Sequence, residues 1–112
     1  MAKPLSKKQK IKTIVFNGIK TFLVKDKYND GKTLLNLISS ENIEKQNVSI
    51  GDLIIRITIN IPSVILEKDE IIVNENNENR GILKILVKEK IVEPTVKFIE
   101  TGFGQAQICK LI

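Results

Sequence analysis

The stretch V15-FNGIKTFLVKDKYNDGKTLLN-L37 contains the strongest local structure signal in the chain. Asn17-Gly18 separates two runs rich in β-branched and aromatic residues, and the second run alternates between two faces from Ile19 to Lys25. A two-residue hairpin loop of type I′ needs positive φ at both central positions, which Asn and Gly accept readily. The sequence therefore predicts a β-hairpin around Asn17-Gly18.

The same stretch contains NDGKT, whose Gly31-Lys32-Thr33 matches the end of a phosphate-binding loop. That loop follows G-x-x-x-x-G-K-[ST], and its first glycine lets the backbone fold around phosphates. Asp26 occupies the position of the first glycine, where a carboxylate would repel the ligand. We therefore interpret Asn29-Asp30-Gly31 as a turn, with Lys32 in solvent and a third strand from Thr33. This gives a three-stranded meander.

The rest of the chain continues the β pattern, with one helical segment. Residues 52–61, DLIIRITINI, alternate over ten positions and predict one long strand ended by Pro62, and residues 70–73 predict a short one. Residues 78–90 place apolar side chains on one helical face, although a strand through Ile82–Val87 is the alternative. A final hairpin is predicted from residues 95–100 and 105–111, and residues 39–51 read as a loop or short helical turn.

These elements predict an α+β protein: a mostly antiparallel sheet of five to seven strands with one helix packed on it. Its 112 residues suit one domain, predicted over residues 11–112. The apolar residues include twenty Ile but only four Phe, one Tyr and no Trp, a bias that favours strands.

The formal net charge of +5 is localised at the N-terminus. Residues 1–12 hold five lysines and no acid, and the other residues are balanced. We predict a flexible basic arm over residues 1–10, which either aids solubility or attracts an anionic partner. In the second case the arm binds nucleic acid non-specifically, with two arginines assisting. The residues of this alternative are Lys3, Lys7, Lys8, Lys10, Lys12, Arg56 and Arg80.

The sequence offers few groups for catalysis, so we expect no enzymatic activity. Histidine, the commonest general base and metal ligand, is missing. Cys109 has no partner that would activate it, so we expect a structural thiol. The acidic residues near Glu67 lack the spacing of a calcium loop, so no metal or cofactor is expected. A single cysteine and the short apolar runs point to the cytoplasm, away from membranes.

Two surfaces are predicted to contact a partner protein. The first is an acidic and amide-rich region that resembles phosphate in charge. Its residues are Glu67, Asp69, Glu70, Asn74, Glu75, Asn76, Asn77 and Glu78. The second is Phe103, at the tip of the last hairpin, unless it folds back onto the core. The oligomeric state stays open, because an exposed edge strand at 105–111 would allow two chains to pair.

Several short motifs carry a resemblance over residues 17–112. They are K-D-x-Y at 25–28, T-I-N-I-P at 58–62, V-N-E-N-N at 73–77, E-P-T at 93–95 and T-G-F at 101–103. With these motifs the chain resembles small proteins of uncharacterised function on conjugative elements and phages of Gram-positive bacteria. The resemblance implies an accessory protein of mobile DNA. We therefore expect a non-enzymatic protein that binds a host or element-encoded protein, for example an inhibitor of a host defence nuclease such as a CRISPR effector.

Overall fold

The computed structural model describes residues 9–102 and 104–112, with side chains from residue 12 onward. Most of the predicted arm lies outside these residues, including Lys3, Lys7 and Lys8, and so does Phe103. The side chain of Lys10 also lies outside the described part. The fold is α+β, as predicted, with seven strands and one α-helix among the described residues. The strands form two antiparallel sheets, whereas the sequence had suggested one.

The first sheet is a four-stranded meander in chain order. Its strands are β1 (Gln9–Phe16), β2 (Ile19–Lys27), β3 (Thr33–Ser39) and β4 (Leu53–Arg56). The predicted hairpin is confirmed, because Phe16 pairs with Ile19 and the loop residues Asn17 and Gly18 have φ of 51° and 80°. The loop between β3 and β4 contains a short 3-10 helix, Glu44–Gln46.

The second sheet has three strands in the order β5-β7-β6. They are β5 (Glu70–Val73), β6 (Val92–Thr101) and β7 (Gly104–Leu111). β7 is therefore the central strand, so the prediction of an exposed edge at residues 105–111 is wrong, and β6 forms that edge. Pro94 lies inside β6, where its missing N–H is tolerated because an edge strand has one unpaired side.

The main core lies between the inner faces of the two sheets and the helix α1 (Ile82–Lys88). α1 contributes Ile82 and Leu86, both fully buried. The strands, together with Ile57 and Ile91 just outside them, contribute an aliphatic set with one aromatic ring and one thiol. These residues are Ile14, Phe16, Leu23, Leu35, Leu37, Ile55, Ile57, Ile71, Val73, Ile91, Val92 and Cys109.

The predicted strand over residues 52–61 is wrong beyond Arg56, because the chain there crosses from one sheet to the other. The N–H of Ile57 still donates to the carbonyl of Leu35 in β3. Thr58 then forms a bridge with Val73, and the N–H of Ile59 donates to Ile72 in β5. The apolar residues do alternate along residues 52–61. Ile55 and Ile57 pack in the main core, whereas Ile59 and Ile61 pack on the outer face of the second sheet.

We call residues 57–66 the crossing segment, and its residues 59–66 cover the outer face of the second sheet. Ile72, Ala106 and Ile108 are buried on that face. Residues 59–66 pack against them with four partly buried aliphatic side chains. These are Ile59, Ile61, Val64 and Leu66.

The helix predicted over residues 78–90 is confirmed in position but is shorter. Gly81 has φ of 93°, a left-handed conformation that excludes it from the helix interior, and residues 77–79 form a separate 3-10 helix. Lys90, with φ of 59°, ends the helical region on the other side. None of the helices in the described part of the chain is long and apolar enough to span a membrane.

Candidate protein-binding surface

The predicted acidic and amide-rich region divides into two groups, one at each end of β5. Glu67, Asp69 and Glu70 lie at its start, and residues 74–78 follow its end. All four residues of β5 are buried, and a strand of this length separates the two groups by about 13 Å. The two groups therefore do not form a continuous carboxylate surface.

Glu70 is occupied by internal contacts. Its side chain is only 5% exposed, and its carboxylate lies 2.5 Å from the Lys97 ammonium of β6. The N–H of Glu67 donates to its second oxygen at 2.9 Å. Glu67 is 81% exposed and Asp69 is also exposed, so these two carboxylates remain accessible at this end.

The hydrogen bond from Lys97 lowers the pKa of Glu70 from its ordinary value of 4.5, and the N–H of Glu67 adds to this effect. The same bond raises the pKa of Lys97 above 10.5. A lowered carboxyl pKa stabilises the fold above pH 4.5, and this contribution disappears as the pH falls through the folded-state value. A raised lysine pKa stabilises the fold below 10.5 and loses its effect as the pH rises through the folded-state value.

We expect Lys97→Met to lower the free energy of unfolding, with a pH signature that identifies the ion pair. The difference from the wild type should be constant between about pH 6 and pH 9 and should shrink outside that window on both sides. Urea unfolding across pH measures it. Lys68→Met, at an exposed lysine of the neighbouring loop, is the control and should show no such profile. A difference independent of pH would contradict the assignment.

Two residues of the amide-rich loop hold the loop itself in place. Asn74 accepts the N–H of Asn76 at 3.0 Å. The Glu75 carboxylate accepts the N–H groups of Gly81 and Leu83 at the start of α1. Gly81 has no side chain to cap the helix, so Glu75 supplies the acceptor and a negative charge near the positive end of the helix dipole.

A groove of about 400 Å³ separates this loop from β4. The buried Asn79 links the two sides of the groove, since its amide donates to the carbonyl of Arg56 at 2.6 Å. Asn77 and Glu78 remain exposed on the rim. The groove is lined by Leu53, Ile54, Ile55, Arg56, Asn74, Asn76, Asn77, Glu78 and Asn79. We call it the β4 groove.

Four groove residues, Leu53, Ile54, Ile55 and Asn79, were not among those predicted from the sequence. Asn79 is the last residue of NENNEN. The amide-rich composition of that segment did not predict that Asn79 would contact β4. Leu53 is 53% exposed and Ile54 is partly buried, although strict alternation from the buried Ile55 would bury Leu53 and expose Ile54. A register shift between Leu37 and Ile38 causes this difference, because two residues of β4 there oppose one residue of β3.

The turn at residues 28–32 holds the crossing segment through the side chain of Lys32. Lys32 is only 18% exposed on its side chain, so its assignment to solvent is wrong. Its ammonium donates to the carbonyls of Ile61 at 2.9 Å and Pro62 at 3.3 Å, and lies 3.5 Å from Asp30. The N–H of Lys32 is the main cause of the lowered pKa of Asp30.

Tyr28 adds a second contact between the turn and the crossing segment. Its hydroxyl lies 2.8 Å from the Thr58 hydroxyl and 3.3 Å from the Thr58 carbonyl. The turn predicted from Asn29-Asp30-Gly31 therefore forms, with Gly31 at φ of 88°. It supports the junction between the two sheets.

The described cations of the alternative nucleic-acid surface differ in their surroundings. Lys12 forms an ion pair with Glu89 at 2.9 Å. The Arg56 guanidinium donates to Asn36 at 3.3 Å, and Arg80 is exposed next to the amide-rich loop. Arg80 follows Asn79, whose amide donates to the Arg56 carbonyl, so the chain segments of the two arginines are in contact, whereas Lys12 lies on β1.

Cys109 is fully buried in the main core. Burial raises the pKa of its thiol to about 11, and the charge of Glu75 acts in the same direction. A thiol with this pKa carries little thiolate near neutral pH. Within residues 9–102 and 104–112, no three acidic or cysteine side chains gather as metal ligands would.

Comparison of the chain with models of protein families, with curated proteins and with solved structures finds no significant match.

Proposed function

We propose that this protein is a non-enzymatic binding protein of a mobile genetic element that acts by contact with another protein through the β4 groove. Its partner in this proposal is a host defence nuclease, for example a CRISPR effector, whose activity it blocks. The observation that carries the proposal is that four residues of the predicted acidic and amide-rich region meet in this groove, together with an exposed leucine. They are Asn74, Asn76, Asn77 and Glu78.

The groove offers chemistry suited to a protein surface. The exposed amide of Asn77 both donates and accepts hydrogen bonds, and the Glu78 carboxylate accepts from lysine or arginine. Leu53, 53% exposed, adds apolar area at the rim. Arg56 places a cation in the same groove, so local recognition of mixed charge supports the proposal better than broad imitation of a phosphate backbone.

The test is affinity capture from a lysate of a Gram-positive host at low and high salt, with mass spectrometry of the captured material. The groove variant is Asn77→Gly with Glu78→Lys, since glycine accepts the φ of 53° at position 77. The control is Asn47→Gly with Glu44→Lys, which makes the same changes at the other 3-10 helix, where Asn47 has φ of 55°. Both variants must match the wild type in thermal stability.

We expect the wild type and the control variant to retain the same protein at both salt concentrations, and the groove variant to lose it by at least about tenfold. The retained protein should be a nuclease that the wild type inhibits in a purified assay. Equal retention by all three proteins would contradict the β4 groove as the site. Capture of nucleic acid alone, lost at high salt and after deletion of residues 1–12, would instead support the basic arm.

A further inference from the structure

The open edge of the second sheet presents a row of backbone hydrogen-bonding groups. The N–H of Leu111 donates to Asp69 on the β5 side of β7. The alternate residues of β7 therefore point their backbone groups to β6, among them Ala106, which pairs with Ile99. It follows that Phe98 and Glu100 direct their N–H and C=O groups away from the sheet.

The first half of this edge is protected. Pro94 carries no N–H, and the pairing with β7 is interrupted between Pro94 and Phe98. Within the interruption, the Thr95 hydroxyl donates to the carbonyl of Ile108 at 2.6 Å. Proline and bulges are devices that keep edge strands from pairing with other chains.

The second half, Phe98–Thr101, lacks this protection. Its pairing with β7 is regular up to the hairpin loop. Lys97 is the nearest lysine, but its ammonium is folded back onto Glu70 at 2.5 Å and so does not guard the edge. Phe98 is 51% exposed and Val96 is 95% exposed.

Ile99 gives this edge an incompletely covered apolar flank. It packs on the outer face of the second sheet with the cluster of Ile72, Ala106 and Ile108, and is only partly buried there. We propose that a second copy of this chain adds to β6 in antiparallel orientation, across a two-fold axis at Ile99. The two second sheets then form one continuous six-stranded sheet.

In this register the outward backbone groups form hydrogen bonds and the apolar side chains of the two edges pack against each other. Phe98 and Glu100 of one copy pair with Glu100 and Phe98 of the other, which gives four backbone hydrogen bonds without using the interrupted segment. The two Ile99 side chains face each other directly and close the exposed flank of both clusters. Lys97 lies opposite Thr101, so no like charges are directly paired.

The test is sedimentation equilibrium of the purified protein over a range of concentrations, with Glu100→Pro as the variant. The N–H of Glu100 is not used by β7, and Pro94 shows that β6 accommodates proline at an outward position. By symmetry the variant removes two of the four hydrogen bonds, so we expect dimerisation to weaken by about 30-fold. Val15→Pro is the control, because Val15 occupies the equivalent outward position on the β1 edge.

Amide hydrogen exchange gives a second measurement on the unmodified chain. Exchange at Phe98 and Glu100 should slow as the concentration rises, whereas exchange at Thr13 and Val15 should not change. A protein that stays monomeric up to about 1 mM would overturn the proposal. A dimer that Val15→Pro weakens as much as Glu100→Pro, or one without protection at Phe98 and Glu100, would do the same.

Discussion

Replacing Ile57 by alanine should lower the free energy of unfolding by about 3 kcal/mol, because the side chain lies at the junction of the two sheets. Ile57 is fully buried in the main core. Its backbone joins both sides as well: its N–H donates to Leu35 in β3, and its carbonyl accepts the N–H of Asn74 just beyond β5. The surrounding strands are held in place by these bonds and cannot collapse into the cavity.

Urea denaturation, followed by far-UV circular dichroism and by exchange of amides in both sheets, measures this effect. Leu53→Ala, four residues earlier and 53% exposed, is the control and should change stability by less than about 0.5 kcal/mol. We expect protection to fall in both sheets of Ile57→Ala by the same amount. A loss confined to the first sheet would contradict a shared core.

Replacing Glu75 by alanine should lower the free energy of unfolding by about 3 kcal/mol, because two charge-assisted hydrogen bonds are lost. The N–H groups of Gly81 and Leu83 would lose their acceptor at the start of α1. α1 is only seven residues long and depends on its tertiary contacts, so its buried Ile82 and Leu86 would become less securely packed.

Two further variants separate the cap from general effects of charge. Glu75→Gln keeps an acceptor oxygen but removes the charge, so we expect about half the loss. Glu78→Ala removes an exposed glutamate from the same loop and should stay within about 0.5 kcal/mol of the wild type. Thermal and urea unfolding give the comparison. An equal loss in Glu75→Ala and Glu78→Ala would rule out the specific role of Glu75.

Elements whose conformation is set by residues adjacent in sequence could be predicted from the sequence alone. Asn17-Gly18 specified its hairpin because the required φ values are a local property. The short strand at residues 70–73 formed with the predicted bounds. By contrast, the division into two sheets depends on where the chain crosses at Ile57, and a period of two is the same whether one sheet or two receive the apolar residues.

For the candidate site as well, local composition could be predicted from the sequence, whereas contacts with distant residues could not. An amide- and acid-rich loop was recognisable from NENNEN, but composition could not distinguish an exposed carboxylate from a structural one. Glu78 faces solvent, whereas Glu75 is used by α1 and Glu70 by Lys97. Lys97 is distant in sequence from Glu70, and the two side chains meet because β5 and β6 lie on either side of β7.

The crossing segment also has a consequence for how the chain folds. Residues 59–66 cover the second sheet, but they are anchored by Lys32, and the preceding Thr58 by Tyr28, to the meander formed by the first third of the chain. The outer face of the second sheet is therefore completed in part by contacts between residues far apart in sequence, and such contacts form slowly. We expect the meander to form first and the two sheets to unfold in a single cooperative step, so that neither sheet persists as a separate folding unit.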